Sequence, residues 1–129
     1  MGADLYIQPK FDEEYQIRKA ADGIENMYKH LYGDNPYYFR DSYNDWSVLS
    51  KLDLSWWNDA IGFLNDEGEM LPEQTAKWLE VIKSRQEQFE DNITDEDTDT
   101  QKYFRDKYQR LQEFYQRAID LNLSVDHSV

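Results

Sequence analysis

Apolar and polar positions along this chain fall into readable periods over most of its length. Residues 3–8 alternate, with Leu5 and Ile7 on one side and Tyr6 on the other, and Pro9 closes the run. That pattern predicts a short strand, at a sheet edge because proline cannot continue a ladder. Over residues 12–32 the period lengthens, and Ile17, Ala20/Ala21, Ile24, Met27/Tyr28 and Leu31 form the single stripe of an amphipathic helix. Asp12, Glu13 and Glu14 fall in its first turn, where the helix dipole favours acids, and Gly33 follows its end. Gly23 interrupts it at a cost of about 1 kcal/mol relative to alanine.

Asp34-Asn35-Pro36 reads as a turn. Behind it lies the stretch that sets the chain apart, residues 37–57. Seven aromatics are crowded there: Tyr37, Tyr38, Phe39, Tyr43, Trp46, Trp56 and Trp57. Arg40, Asp41, Ser42, Asn44 and Asp45 sit among them and need partners if the rings bury them. The expectation is an irregular segment, then a helical turn or two from about 42–44 to 52. Ser55 is a plausible N-cap for a short helix to about residue 65 that buries Trp57, Ile61 and Leu64. After the turn Asp66-Glu67-Gly68, Pro72 opens a helix to about residue 89, with Thr75, Trp78/Leu79, Ile82 and Phe89 inward. Residues 101–121 carry the clearest stripe: Phe104, Lys107/Tyr108, Leu111, Phe114/Tyr115 and Ala118/Ile119. Leu121, Leu123 and Val125 then alternate with polar residues, which predicts a second short strand pairing with residues 3–8. The predicted fold is mainly α. One domain spans residues 1–129, with about five helices around an aromatic, irregular centre and a small two-stranded pairing of the termini.

Composition narrows the function classes. The chain has 129 residues, 16% of them aromatic, no cysteine and a net charge of −13. That many rings argue for a folded core under a charged exterior, since acidic disordered chains are short of aromatics. The missing cysteines exclude disulfides and thiol chemistry and fit a reducing, cytoplasmic setting. No stretch approaches the length of a membrane span, and no signal-peptide core opens the sequence. Gly2 suggests myristoylation, but Tyr6 stands where that motif needs serine or threonine. The negative field disfavours direct contact with nucleic acid or anionic membranes and favours basic proteins, including those that bind nucleic acid. Residues 90–99 concentrate it, with six acids (Glu90, Asp91, Asp95, Glu96, Asp97, Asp99) and no base.

MGADLYI at the start, YFRDSYN at 38–44, LSWW at 54–57 and the Ala118–Ser128 end together resemble a family of small bacterial and phage-borne proteins without an assigned activity. The resemblance covers most of the chain apart from the acidic stretch. It implies a shared fold around a shared aromatic centre and assigns no catalytic residue.

Candidate chemistry is sparse. Asp95, Asp97, Asp99 and Asp106 occupy positions 1, 3, 5 and 12 of an EF-hand-type calcium loop. Thr100 then stands where the loop needs glycine, and Lys102 where it needs an apolar residue, so solvation and helix capping explain these acids better. A pocket at Tyr38, Arg40, Asp41, Tyr43, Asn44, Trp46 and Trp56 would hold a small molecule between rings, with Arg40 gripping its carboxylate or phosphate. The structural alternative is a buried Arg40–Asp41 pair organising the irregular segment, and it is the favoured of the two. Asp59, after two tryptophans, is the most suggestive acid for proton transfer, since rings could raise its pKa, but an exposed helix residue is the favoured reading. His30 and His127 lack metal-ligand spacing, and Asp126-His127-Ser128 cannot form a triad because adjacent residues do not converge. No glycine-rich loop cradles a phosphate, so no nucleotide cofactor is expected, and no motif specifies a reaction. The expectation is therefore a non-enzymatic acidic protein that binds and regulates another protein. One specific form is a phage-type inhibitor imitating the charge of nucleic acid. The alternative is a small-molecule site or minor enzyme at the aromatic centre.

Overall fold

A computed structural model describes residues 2–23 and 35–129. Four strands, β1 (Gly2–Ile7), β2 (Tyr38–Ser42), β3 (Glu69–Met70) and β4 (Val125–Ser128), form one antiparallel sheet in the order β2-β1-β4-β3. The mainly α expectation is therefore corrected to a mixed α+β fold. The termini do pair, Leu5 opposite His127, but as the inner half of a four-stranded sheet. β1 is central, not an edge. Pro9 lies two residues beyond it and removes no ladder hydrogen bond.

Strand alternation divides the sheet cleanly. Ala3, Leu5, Ile7, Phe39, Asp41, Met70, Val125 and His127 turn inward and are all buried. The inward face meets a layer of helices. α1 (Lys10–Asp22) follows β1 but lies against the outer face, where Phe11 packs on Tyr6 and Tyr38. α2 (Val48–Lys51), α3 (Pro72–Ser84), α4 (Gln86–Ile93) and α5 (Thr98–Leu121) make up the inward layer. Trp78, Ile82, Phe89, Ile93, Phe104, Tyr108, Leu111 and Tyr115 fill the space between layers. β1 passes so close to β2 that a Cβ on Gly2 would collide with the Asp41 carbonyl. The segment read as irregular is thus an edge strand at its start.

Several helix boundaries differ from the sequence expectation. α1 ends at Asp22, and Gly23 follows with a φ of 78°, a left-handed value that suits glycine. Only Phe11 of α1 is buried, and Ile17 is 64% exposed, so the proposed stripe does not face this core. Its continuation, with Ile24, Met27, Tyr28, His30, Leu31 and Gly33, lies outside the described residues. The helix expected over 72–89 is two, broken at Arg85, and the second runs on to Ile93, so Glu90 and Asp91 are helical. α5 begins at Thr98 because the Asp97 carboxylate accepts from the Thr100 N–H at 2.7 Å, a side-chain N-cap. It ends at Asn122 in the left-handed conformation, with the Leu123 N–H donating to the Ala118 carbonyl. The helix expected from Ser55 is a single 3-10 turn, Ala60–Phe63. Among the described residues no helix is long and apolar enough to cross a membrane.

Candidate functional site

The centre of the molecule is built on Asp41. As the second inward residue of β2 it is fully buried, and five donors converge on it. Oδ1 accepts from the Val48 N–H at 2.9 Å and pairs with Lys107 Nζ at 2.8 Å. Oδ2 accepts from Ser47 Oγ at 2.8 Å, Trp56 Nε1 at 2.9 Å and the Leu49 N–H at 3.3 Å. The Lys107 ammonium is equally committed, donating also to the Trp46 carbonyl at 3.1 Å and the Tyr103 hydroxyl at 3.4 Å. A buried ion pair persists only where further hydrogen bonds satisfy the rest of both groups, and here they do. The result is a polar joint between β2, α2, Trp56 and α5. With its oxygens so occupied, Asp41 is left no ready contact for a ligand.

Arg40 is not Asp41's partner. Neighbouring strand residues point to opposite faces, so Arg40 lies on the outer face and donates to Asp4 Oδ1 at 3.0 Å. Tyr38 shares that face and also donates to Asp4 Oδ1, and burial followed by that carboxylate pushes its hydroxyl pKa far up. The pocket predicted from Tyr38, Arg40, Asp41, Tyr43, Asn44, Trp46 and Trp56 is therefore split across the sheet. Asn44 caps a local turn, its Oδ1 accepting the Trp46 N–H at 2.9 Å. Asp59 holds its own turn by accepting the Ser55 N–H at 2.8 Å.

The two adjacent tryptophans exchange the roles expected of them. Trp56 is buried, whereas Trp57 is 56% exposed and lies against Tyr43 with ring centroids 4.7 Å apart. The Ser55 Oγ accepts the Trp57 N–H, fixing a turn that brings one indole in and leaves the next outside. Trp56→Ala is expected to cost about 3–5 kcal/mol, since it removes a buried indole and a donor to Asp41. Trp57→Ala is expected to cost about 1 kcal/mol or less, the worth of one exposed ring pair. Urea midpoints of the two variants check this contrast, and comparable losses would refute it.

A second exposed ring pair lies at the start of the same loop. Trp46 is 48% exposed and meets Tyr103, 39% exposed, edge-on at 5.4 Å. Both rest on Phe104, whose ring stacks with Trp46 at 5.9 Å. Lys51 Nζ lies 5.2 Å from the Phe104 ring and reaches Glu96 at 4.0 Å. The ring pair and the acidic stretch are thus neighbours.

Within that stretch the six acids divide by role. Glu90 is bound by Arg105 at 2.8 Å, and that hydrogen-bonded guanidinium holds its carboxyl below the ordinary range. Asp97, as N-cap, is held low by the Thr100 backbone hydrogen bond. Among the described residues Asp91, Asp95 and Asp99 make no ion pair. The calcium candidate does not assemble: Asp106 pairs with Lys102 at 2.8 Å while Asp97 serves the helix. No group of three or more metal-ligating side chains occurs among the described residues.

His127, which lacks metal-ligand spacing in the sequence, is buried on the inward face of β4. Its Nδ1–H donates to the Val125 carbonyl at 3.0 Å, which leaves Nε2 to accept from the Tyr115 hydroxyl at 2.9 Å. Burial lowers its pKa to about 4 and keeps the ring neutral. Lys107 stands in the inward stripe already in the sequence, and a lysine among apolar positions of a helical stripe calls for a buried acid, here Asp41. Comparison with protein-family models, curated proteins and solved structures finds no match to this chain.

Proposed function

We propose that this chain is a non-enzymatic binding protein that docks on the basic surface of another protein. The reading is supported by one juxtaposition, the exposed Trp46–Tyr103 pair seated on Phe104 beside the acidic stretch. Aromatic anchors supply much of the affinity at protein interfaces, and a charged rim supplies steering and selectivity. The anchor's neighbours decide the sign of the partner. Asp91, Asp95 and Asp99 are exposed and make no ion pair among the described residues, in a chain of net charge −13. A nucleic-acid-binding protein offers a basic surface of this kind. The resemblance to bacterial and phage-borne proteins and the absence of cysteine support placing the action in the cytoplasm.

The test compares capture from host lysate by the native chain, by Trp46→Ala and by a triple variant with Asp91, Asp95 and Asp99 changed to lysine. These positions avoid the helix cap and the internal ion pairs. A partner should be lost with Trp46→Ala. Its association with the triple variant should be slower, with dissociation little changed. Binding to the native chain should weaken as salt rises, because exposed charges are screened over about 8 Å at physiological ionic strength. Capture that is indifferent to salt and to both variants would end this reading.

A further inference from the structure

The exposed Trp57–Tyr43 pair borders a cleft of about 150 Å³. Ser42, Ser47, Ser50 and Ser55 line it together with these two rings, Leu54 and Trp56, and among the described residues no charged side chain lines it. In a chain where 32% of residues are charged, that exclusion is selective. At roughly 30 Å³ per water the space holds about five waters, the room of one small ring.

The hydroxyls differ in what they have left to offer. Ser47 is fully engaged, donating to Asp41 and accepting the Ser50 N–H. Ser50 donates to the Ser47 carbonyl and keeps its lone pairs. Ser55 accepts from two backbone N–H groups at 3.2 and 3.3 Å, which leaves its own O–H to donate. Ser42 makes no side-chain hydrogen bond among the described residues. The cleft therefore presents donors and acceptors without net charge, next to a ring face open to solvent. Anions are opposed by the carboxylates of Asp4 and Asp41, which both act on the Tyr43 hydroxyl at the rim of the cleft. Arg40 acts on that hydroxyl in the opposite sense, from the outer face that Ser42 shares, but its guanidinium is paired with Asp4 at 3.0 Å.

We infer that this cleft binds a single neutral, hydroxylated ring, a pyranose sugar, whose apolar face lies on Trp57 while its hydroxyls exchange hydrogen bonds with Ser42, Ser50 and Ser55. Each sugar hydroxyl both donates and accepts, as each serine does. An apolar wall with a few convergent polar groups is the general form of a small-ligand site. The cleft does not include Trp46, so this inference and the protein-docking proposal stand or fall separately.

The experiment follows the indole and backbone amide signals by NMR while glucose, galactose, mannose or N-acetylglucosamine is added at millimolar concentration. Inorganic phosphate and arginine serve as the charged probes. At least one sugar should shift the Trp57 and Tyr43 signals saturably. Trp57→Leu should weaken that binding about tenfold, the order expected for losing one stacked ring, and Ser42→Ala should weaken it severalfold. Trp46→Ala should bind sugar as the native chain does. A methyl glycoside binding as tightly as the free sugar would mark the end of a glycan as the natural ligand, and tighter binding of the free sugar would mark a monosaccharide. No saturable shift with any sugar, a stronger response to arginine or phosphate, or unchanged binding by folded Trp57→Leu would each overturn the inference.

Discussion

Lys107→Met is expected to destabilise the native state by about 3–5 kcal/mol, because it leaves the Asp41 carboxylate buried without its counter-ion. Asp41→Asn alone should also be costly, since it strands the Lys107 ammonium at a site only 4% exposed. The two changes together should cost less than their sum. A neutral asparagine Oδ1 can still accept from part of the donor set formed by Val48, Leu49, Ser47 and Trp56, and no charge is then left alone. A double-mutant cycle on urea unfolding should give a coupling energy of about 0.5–3 kcal/mol between the positions. Strict additivity would show that the 2.8 Å pair is not coupled energetically. Against a typical total stability of about 5–15 kcal/mol, either single change endangers folding at physiological temperature.

Acid should act on a different residue. His127 titrates near 6.5 in the unfolded chain, but burial lowers its pKa to about 4 in the folded one. Between those values the unfolded state binds the extra proton. The stability contributed by the neutral ring is therefore complete above pH 6.5 and is lost as pH falls toward 4. The loss is roughly 3 kcal/mol at 1.36 kcal/mol per pH unit. Asp126 next to it works the other way. Burial, then Glu69 and Asp12, raises its carboxyl, so its protonation favours the folded state as pH falls below that raised value. Glu90 and Asp97, held low, lose their contribution only in stronger acid. A comparison with His127→Gln, which keeps a neutral amide able to accept from Tyr115, separates these effects. The native chain should lose about 3 kcal/mol more than the variant between pH 7 and pH 4. Parallel stability curves for the two proteins would show that His127 is free to protonate in the folded state.

Much of the helical layer could be read from the sequence, and much of the sheet could not. Phe104, Tyr108, Leu111, Phe114 and Tyr115 repeat with a helical period over a long window, so α5 declares itself. β3 has two residues and can show no period. β2 does alternate, but one of its inward positions is Asp41, and a charged residue on the buried face hides the pattern. Reading that segment as irregular made Arg40 and Asp41 look like partners, when strand geometry sends them apart. The same charge that concealed the strand belongs to Lys107, sixty-six positions further on in sequence. Local periodicity carries no trace of such a long-range pairing. The ring-rich segment stands out in the sequence, but which of Trp56 and Trp57 turns inward depends on a serine-capped turn that composition does not reveal.

The strand order has a consequence for how the chain is made. β1 leaves the ribosome first, and β4, which must lie against it, emerges more than a hundred residues later. Until residue 128 is free, Leu5 and Ile7 belong to a strand with one side bare, and the two-residue β3 has nothing to pair with. Contacts between such distant segments form slowly, because a long loop must close before they repay it. During translation the nascent sheet is an unfinished edge rather than a folded unit. That interval is when the chain is most open to mispairing with a neighbour, and it ends only when the last strand slides into the gap the sheet has kept for it.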